Sequence, residues 1–200
     1  MIMRKLIFIA ILLINTASLA DEGVKKFING VADRVISVAG NKSYSKKQKA
    51  AHMMEVMKSN FNIRWMSKFV LGSSYRDLND KQKSTYYNSY QKYLLYSYLP
   101  NLLQYSNETF RIISVKEMGK KDCTVETEII RHNGKPPIKL SYHVKKRSNG
   151  SYKVVDIIAE GISAILSQRS EFKEIIQQSG VNGLIDLIKN KNIQFDKDYA

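Results

Sequence analysis

The 200-residue chain has one cysteine, three prolines and one tryptophan, and only 18 acidic residues against 32 lysines and arginines. A lone Cys123 permits no internal disulfide, so packing alone must hold the fold. No stretch approaches the roughly 20 apolar residues that a membrane-crossing helix needs. Catalytic signatures are missing as well. There is no Gly-x-Ser-x-Gly elbow, no His-Glu-x-x-His, no Cys-x-x-Cys and no glycine-rich phosphate loop. His52, His132 and His143 fall at polar or turn positions and read as surface residues, and Cys123 reads as inert packing.

What is present begins at the N-terminus. Arg4 and Lys5 precede an apolar run from Leu6 to Ile14, and Ser18-Leu19-Ala20 places small residues where a signal peptidase reads. Residues 1–20 are therefore expected to be a secretory signal, and residues 21–200 a single domain outside the cytoplasm, periplasmic in a two-membrane bacterium. A lipid anchor at that end would need a cysteine just after the apolar run. Removing residues 1–20 takes away Arg4 and Lys5 and no acid, leaving 30 basic against 18 acidic residues and a formal charge of +12. Export removes such a field from most nucleic acid and leaves anionic phospholipid surfaces or acidic proteins as partners. An AT-rich coding composition, which inflates Lys, Asn, Ile and Tyr, explains the same excess.

Hydrophobic periodicity divides the chain. Val24, Phe27, Ile28, Val31, Val35 and Val38 recur at helical spacing from Gly23 to Ala39. Ser45 can cap a second helix carrying Ala50, Met53, Met54, Met57 and Phe61, a methionine stripe that suits either a core or an adaptable pocket. A third helix, Ile63 to Leu71, ends at Gly72. A long fourth begins near Asp80 and carries Tyr86, Tyr87, Tyr90, Tyr93, Leu94, Tyr98, Leu102 and Tyr105, with Pro100 expected to kink or divide it. Tyrosines in such number suit a cavity rim, ring inward and hydroxyl outward, or a half-buried surface.

Near Phe110 the period becomes two. Cys123, Val125, Thr127 and Ile129 alternate with polar residues, as do Ile138, Leu140, Tyr142 and Val144. Turns at Gly119 to Asp122, His132 to Pro137 and Asn149-Gly150, followed by Tyr152 to Ile158, give a four-stranded antiparallel meander. Beyond Gly161 the helical period returns with Ile162, Ile165, Leu166, Phe172, Ile175 and Ile176, and a last helix, Val181 to Ile188, follows Gly180. Helices, then strands, then helices define an α+β architecture with helices against the apolar face of one curved sheet.

These residues, in order, resemble the MlaC family, also described as toluene-tolerance Ttg2 auxiliary proteins. The likeness runs through Arg64-Trp65, Phe69-Val70-Leu71-Gly72, Tyr75-Arg76, Gln82, Tyr98, Tyr142, Tyr152-Lys153-Val154-Val155-Asp156, Glu160-Gly161-Ile162-Ser163, and Arg169 with Phe172. Tyr75 and Tyr152 stand where the family often has tryptophan, and both keep an aromatic body with a polar tip. The resemblance implies an NTF2-like α+β fold with an apolar cavity between helices and sheet, holding the acyl tails of a glycerophospholipid as cargo, with no cofactor and no catalytic residue. It also implies a shuttle between an outer-membrane lipoprotein complex and an inner-membrane transporter with an MCE-domain subunit, which maintains outer-membrane lipid asymmetry.

Hiding about thirty methylenes at ~0.8 kcal/mol each requires protein wall worth roughly 20–25 kcal/mol, which a shallow groove cannot supply. The residues expected to line that wall are Leu140, Tyr142, Val144, Val154 and Ile158 on inward strand positions, with Val70, Leu71, Leu94, Tyr98, Leu102, Ile162, Ile165 and Phe172 from the helices and turns. Ordinary core packing is the alternative for each. Asp156 and Arg169 are expected to form a buried or half-buried ion pair. Two other readings stay open: a small periplasmic enzyme acting on an apolar substrate in such a cavity, and a basic envelope interaction module with a solid core.

Overall fold

The computed structural model describes residues 16–104, 108–132 and 134–199. Residues 1–15 of the expected signal segment and Tyr105 lie outside the described residues.

Local chemistry sets the helix boundaries. Helix α1 spans Thr16–Gly40, starting upstream of the expected cleavage after Ala20. Helix α2 (Lys46–Asn60) opens with a capping box in which the Ser45 hydroxyl accepts from the Gln48 amide while the Gln48 side chain accepts from the Ser45 amide. Asn62 caps α3 (Ile63–Leu71), which Gly72 ends at φ 58°, a value that glycine adopts without Cβ strain. Asn79 and Gln82 form a second capping box at the start of α4 (Asp80–Leu102), and Pro100 falls within its last turn without dividing it.

Five strands follow: β1 (Thr109–Gly119), β2 (Asp122–Ile130), β3 (Ile138–Lys146), β4 (Tyr152–Ala159) and β5 (Ile162–Ser163). They pair in sequence order in one open antiparallel sheet. The expected sheet had four; β5 is too short to show a period and forms because the Gly161 turn, at φ 84°, folds Ile162 and Ser163 back on Ala159 and Ile158. The backbone of residues 61–62 also docks on β4, where the Asn62 amide donates to the Val154 carbonyl at 2.9 Å. Helix α5 (Ala164–Asp198) closes the chain and is interrupted at Gly180, whose φ of 69° and ψ of 177° are not helical.

Register places Cys123, Val144 and Val154 on one face, with Val125, Tyr142 and Ile157 in the next row. A shift between His143 and Val144 leaves Val155 as an extra residue, so Asp156 and Ile158 face the opposite side from Val154. Strict alternation had placed Val154 and Ile158 together, and the bulge is why they are not.

Two cores result. Val24 and Ile28 of α1 bury Val125, Val144 and Val154 on the sheet. Beside it, α2 to α5 build a helical core around Met53, Met66, Val70, Tyr86, Tyr90, Leu99, Phe172, Leu184 and Ile188. Its buried tyrosines are satisfied internally: Tyr86 donates to the Ser67 carbonyl at 3.0 Å and Tyr90 to the Gln168 side-chain oxygen at 2.6 Å. Burial raises both hydroxyls well above the ordinary tyrosine range.

Candidate functional site

The expected lining residues do not surround one space. Val70, Leu71, Leu94, Ile165 and Phe172 are buried in the helical core, with Leu102 half-buried against it. Phe172 packs among the Tyr90 and Tyr93 rings at 6.3 and 5.8 Å. Val144 and Val154 are buried under α1, and Tyr142 packs against them with its ring edge-on to Phe110. Leu140 is half-buried on the same face, Ile158 is on the other, and Tyr98 and Ile162 are 39% and 66% exposed.

What the structure does assemble is an open apolar strip on the sheet face that α1 only partly covers. The α1 core covers the row of Cys123, Val144 and Val154 and the next row of Val125, Tyr142 and Ile157. Beyond it, Ile112, Thr127, Leu140, Ala159 and Ile162 stand in register as one row across all five strands. A further row holds Phe110, Ile129 and Ile138. Thr127 donates its hydroxyl to the Leu140 carbonyl at 2.9 Å, so even the one polar member of the row has its hydrogen satisfied within the backbone. Phe110, Ile112, Ile129, Ile138 and Leu140 are only half-buried. Half-buried apolar side chains in adjacent rows are the chemistry an acyl chain requires: wall without polar competition. Phe110, Ile112 and Ile157 were absent from the expected lining, although alternation at Phe110 and Ile112 carries the same signal as in β2 and β3.

Two mixed grooves lie elsewhere. One of about 580 Å³ runs between α2 and α4, lined by Ala50, Met54 and Leu95 with Lys47, Lys58 and Lys92. Another of about 430 Å³ lies between the start of α1 and the β1–β2 turn, and includes Val24, Val115, Cys123 and Tyr152. None of the expected lining residues borders either.

The polar residues are rearranged relative to expectation. Asp156 and Arg169 make no ion pair. Asp156 is buried and accepts from the Ser163 hydroxyl at 2.5 Å and the Ile165 amide at 3.1 Å, binding the first turn of α5 to β4. A carboxylate at a helix N-terminus is stabilised by free amides and needs no cation. Arg169 lies farther along α5, donates to the Phe69 carbonyl at 2.9 Å and rests its guanidinium over the Phe69 ring at 4.8 Å. Tyr98 reaches toward the same junction: burial, then Asp156, then Glu171 raise its hydroxyl above the ordinary range.

His52 stacks on Tyr44 and faces Glu55 at 3.6 Å, His132 meets the Thr109 hydroxyl, and His143 faces Asp122 at 3.4 Å. Burial first, then Asp122, Glu117 and Asp21, push the Cys123 thiol up to about 11. Among the described residues, no His, Cys, Asp and Glu cluster could hold a metal ion, and no helix is long and apolar enough to cross a membrane.

Helices flanking an open antiparallel sheet, one face of it apolar and half uncovered, define the architecture of a known class. The fold is that of a phospholipid-binding protein of Ralstonia solanacearum solved in complex with a phospholipid, with a TM-score of 0.73 at 18% identity over 86% of this chain and 97% of that one. The MlaC protein family profile matches residues 29–190, and the chain belongs to that family. The Intermembrane phospholipid transport system binding protein MlaC of Haemophilus influenzae is 24% identical over 179 residues, covering 86% of this chain and 84% of that protein.

Proposed function

We propose that residues 21–200 form a single-domain periplasmic carrier that binds a glycerophospholipid and moves it between the two membranes. The observation that carries this reading is the half-uncovered apolar face of the sheet, from Phe110 to Ile162, in a chain of the MlaC family. Acyl chains laid on that face extend the core already begun by α1. Leu140 stands in that row, whereas Val70, Leu71, Leu94, Leu102, Ile165 and Phe172 pack in the separate helical core and Tyr98 is exposed on α4. Tyr142 continues the same face toward Val144 and Val154, which α1 covers, and Ile162 marks the edge of the strip on β5. The role proposed is transport and not catalysis, with the phospholipid as cargo and no cofactor required.

Names of relatives support the wider picture. The Haemophilus influenzae protein is called a binding protein of an intermembrane phospholipid transport system, and the Ralstonia solanacearum protein was solved with its lipid. Carriage of this kind needs a donor and an acceptor, here an outer-membrane lipoprotein complex and an inner-membrane MCE-domain transporter, and its consequence is outer-membrane lipid asymmetry. Cleavage near Ala20 releases the carrier.

The test is native mass spectrometry of the protein secreted to a bacterial periplasm and purified without detergent, followed by lipid extraction. Near-stoichiometric phospholipid is the expected result. A clean apo mass that resists loading from liposomes refutes the carrier and favours a solid-core interaction module.

A further inference from the structure

A cluster of cations lies at one end of the sheet, away from the apolar strip. The β1–β2 and β3–β4 turns lie side by side there: Asp122 pairs with Lys145, and the Lys146 amide donates to the Lys121 carbonyl at 2.7 Å. Residues 116–121 and 146–151 are exposed throughout. Among the described residues, Lys116 alone of their cations meets a carboxylate, Glu126 at 2.6 Å. Lys146 rests over the Tyr152 ring, and Lys120, Lys121 and Arg147 have no acidic partner within ion-pair distance among the described residues. Lys153 adjoins them, its ammonium pKa lowered by burial and then by Arg147. Glu117 is the one exposed acid of the two turns, and no cation among the described residues lies within ion-pair distance of it. At the tip between these charges stands Met118, 69% exposed and the most exposed large apolar residue of the protein's described part.

We propose that this end of the sheet is a membrane-docking surface that binds anionic phospholipid bilayers, with Lys120, Lys121, Lys146 and Arg147 on headgroup phosphates and Met118 entering the headgroup layer. Unpaired cations ringing a protruding apolar tip match the bilayer interface, which offers anionic charge with hydrocarbon beneath. An acidic protein surface explains the cations and leaves the methionine in water. The inference goes beyond lipid carriage and does not depend on it, because the turns lie apart from the Phe110–Ile162 strip.

Co-sedimentation with vesicles of phosphatidylcholine, with and without phosphatidylglycerol, tests it. The secreted protein is expected to bind only the anionic vesicles, with affinity falling as salt rises. Lys120→Gln combined with Lys121→Gln is expected to weaken binding about thirtyfold, from the usual contribution of a lysine near a charged bilayer. Met118→Ser is expected to weaken it severalfold at unchanged charge. Lys173→Gln combined with Lys197→Gln, an equal charge change on α5, is expected to leave it unchanged. Equal losses in both lysine pairs, or no binding by the parent protein, overturn the proposal. So does vesicle binding that survives the turn substitutions while poly-glutamate binding is lost, which identifies an acidic protein as the occupant. Circular dichroism melts confirm that each variant is folded, and cargo measured by mass spectrometry reads the carrier function separately.

Discussion

Ser163 donates its hydroxyl to Asp156 at 2.5 Å across the turn that joins the sheet to the last helix. The same carboxylate accepts from the Ile165 amide, so one buried side chain fixes where α5 begins.

Asp156→Ala leaves both donors without a partner in a buried site, at a cost of about 1–3 kcal/mol. A thermal melt is expected to fall by several degrees. Arg169→Ala is expected to act independently, since Arg169 contacts Phe69 and not Asp156. A double-mutant cycle showing strong coupling between the two refutes that assignment.

Ile162 is 66% exposed, so Ile162→Asp is expected to change stability by less than about 0.5 kcal/mol. The same charge placed at the edge of the apolar strip is expected to reduce co-purified lipid sharply. Leu140→Trp, two positions away in the same row, is expected to fill the strip and lower occupancy in a folded protein. Unchanged lipid content in both variants assigns this face to plain core.

A Cβ on Gly72 meets the Arg169 guanidinium at 2.9 Å, at a φ of 58°. Gly72→Ala therefore combines backbone strain with a displaced arginine, for about 1–3 kcal/mol. Pairing it with Arg169→Ala is expected to relieve only the clash, so the double variant melts above the sum of the single losses and below Arg169→Ala alone.

The raised Cys123 thiol predicts slow alkylation. At pH near 8.5, iodoacetamide is expected to react with the native protein on the order of a hundredfold more slowly than with the urea-unfolded chain, given a thiol pushed up to about 11 against an ordinary value near 8.5. The native rate is expected to climb steadily as pH approaches 11. Equal rates at pH 8.5 place the thiol in solvent.

Much of the fold is readable from local signals. Ser45 with Gln48, Gly72 as a helix end, Asn149-Gly150 as a turn and the alternation of β2 and β3 all act within a few residues, and each appears where its chemistry puts it. The readings that changed depend on contacts distant in sequence. Alternation assumes an unbroken pleat, and the extra residue at Val155 moves Ile158 to the other face. Asp156 and Arg169 look complementary in a linear chain, yet a helix N-terminus and a carbonyl reach them first. The tyrosine stripe divides in the same way: Tyr86 and Tyr90 find partners inside the helical core, and Tyr98, two turns on, does not become buried. Which rows of the sheet α1 leaves open is set by where that helix docks, and no periodicity in the strands encodes it.

The bulge in β4 allows one strand to serve two masters. Val154 must point beneath α1 and Asp156 toward α5, directions that an even pleat cannot grant to residues two apart. Pairing the same residues without the bulge would bring the carboxylate beneath α1 or withdraw the valine from it, whereas removing Val155 would leave the two adjacent and still on opposite faces. Val155, itself buried, is thus the residue that absorbs the irregularity, whereas insertions in the exposed 147–151 turn would disturb neither layer.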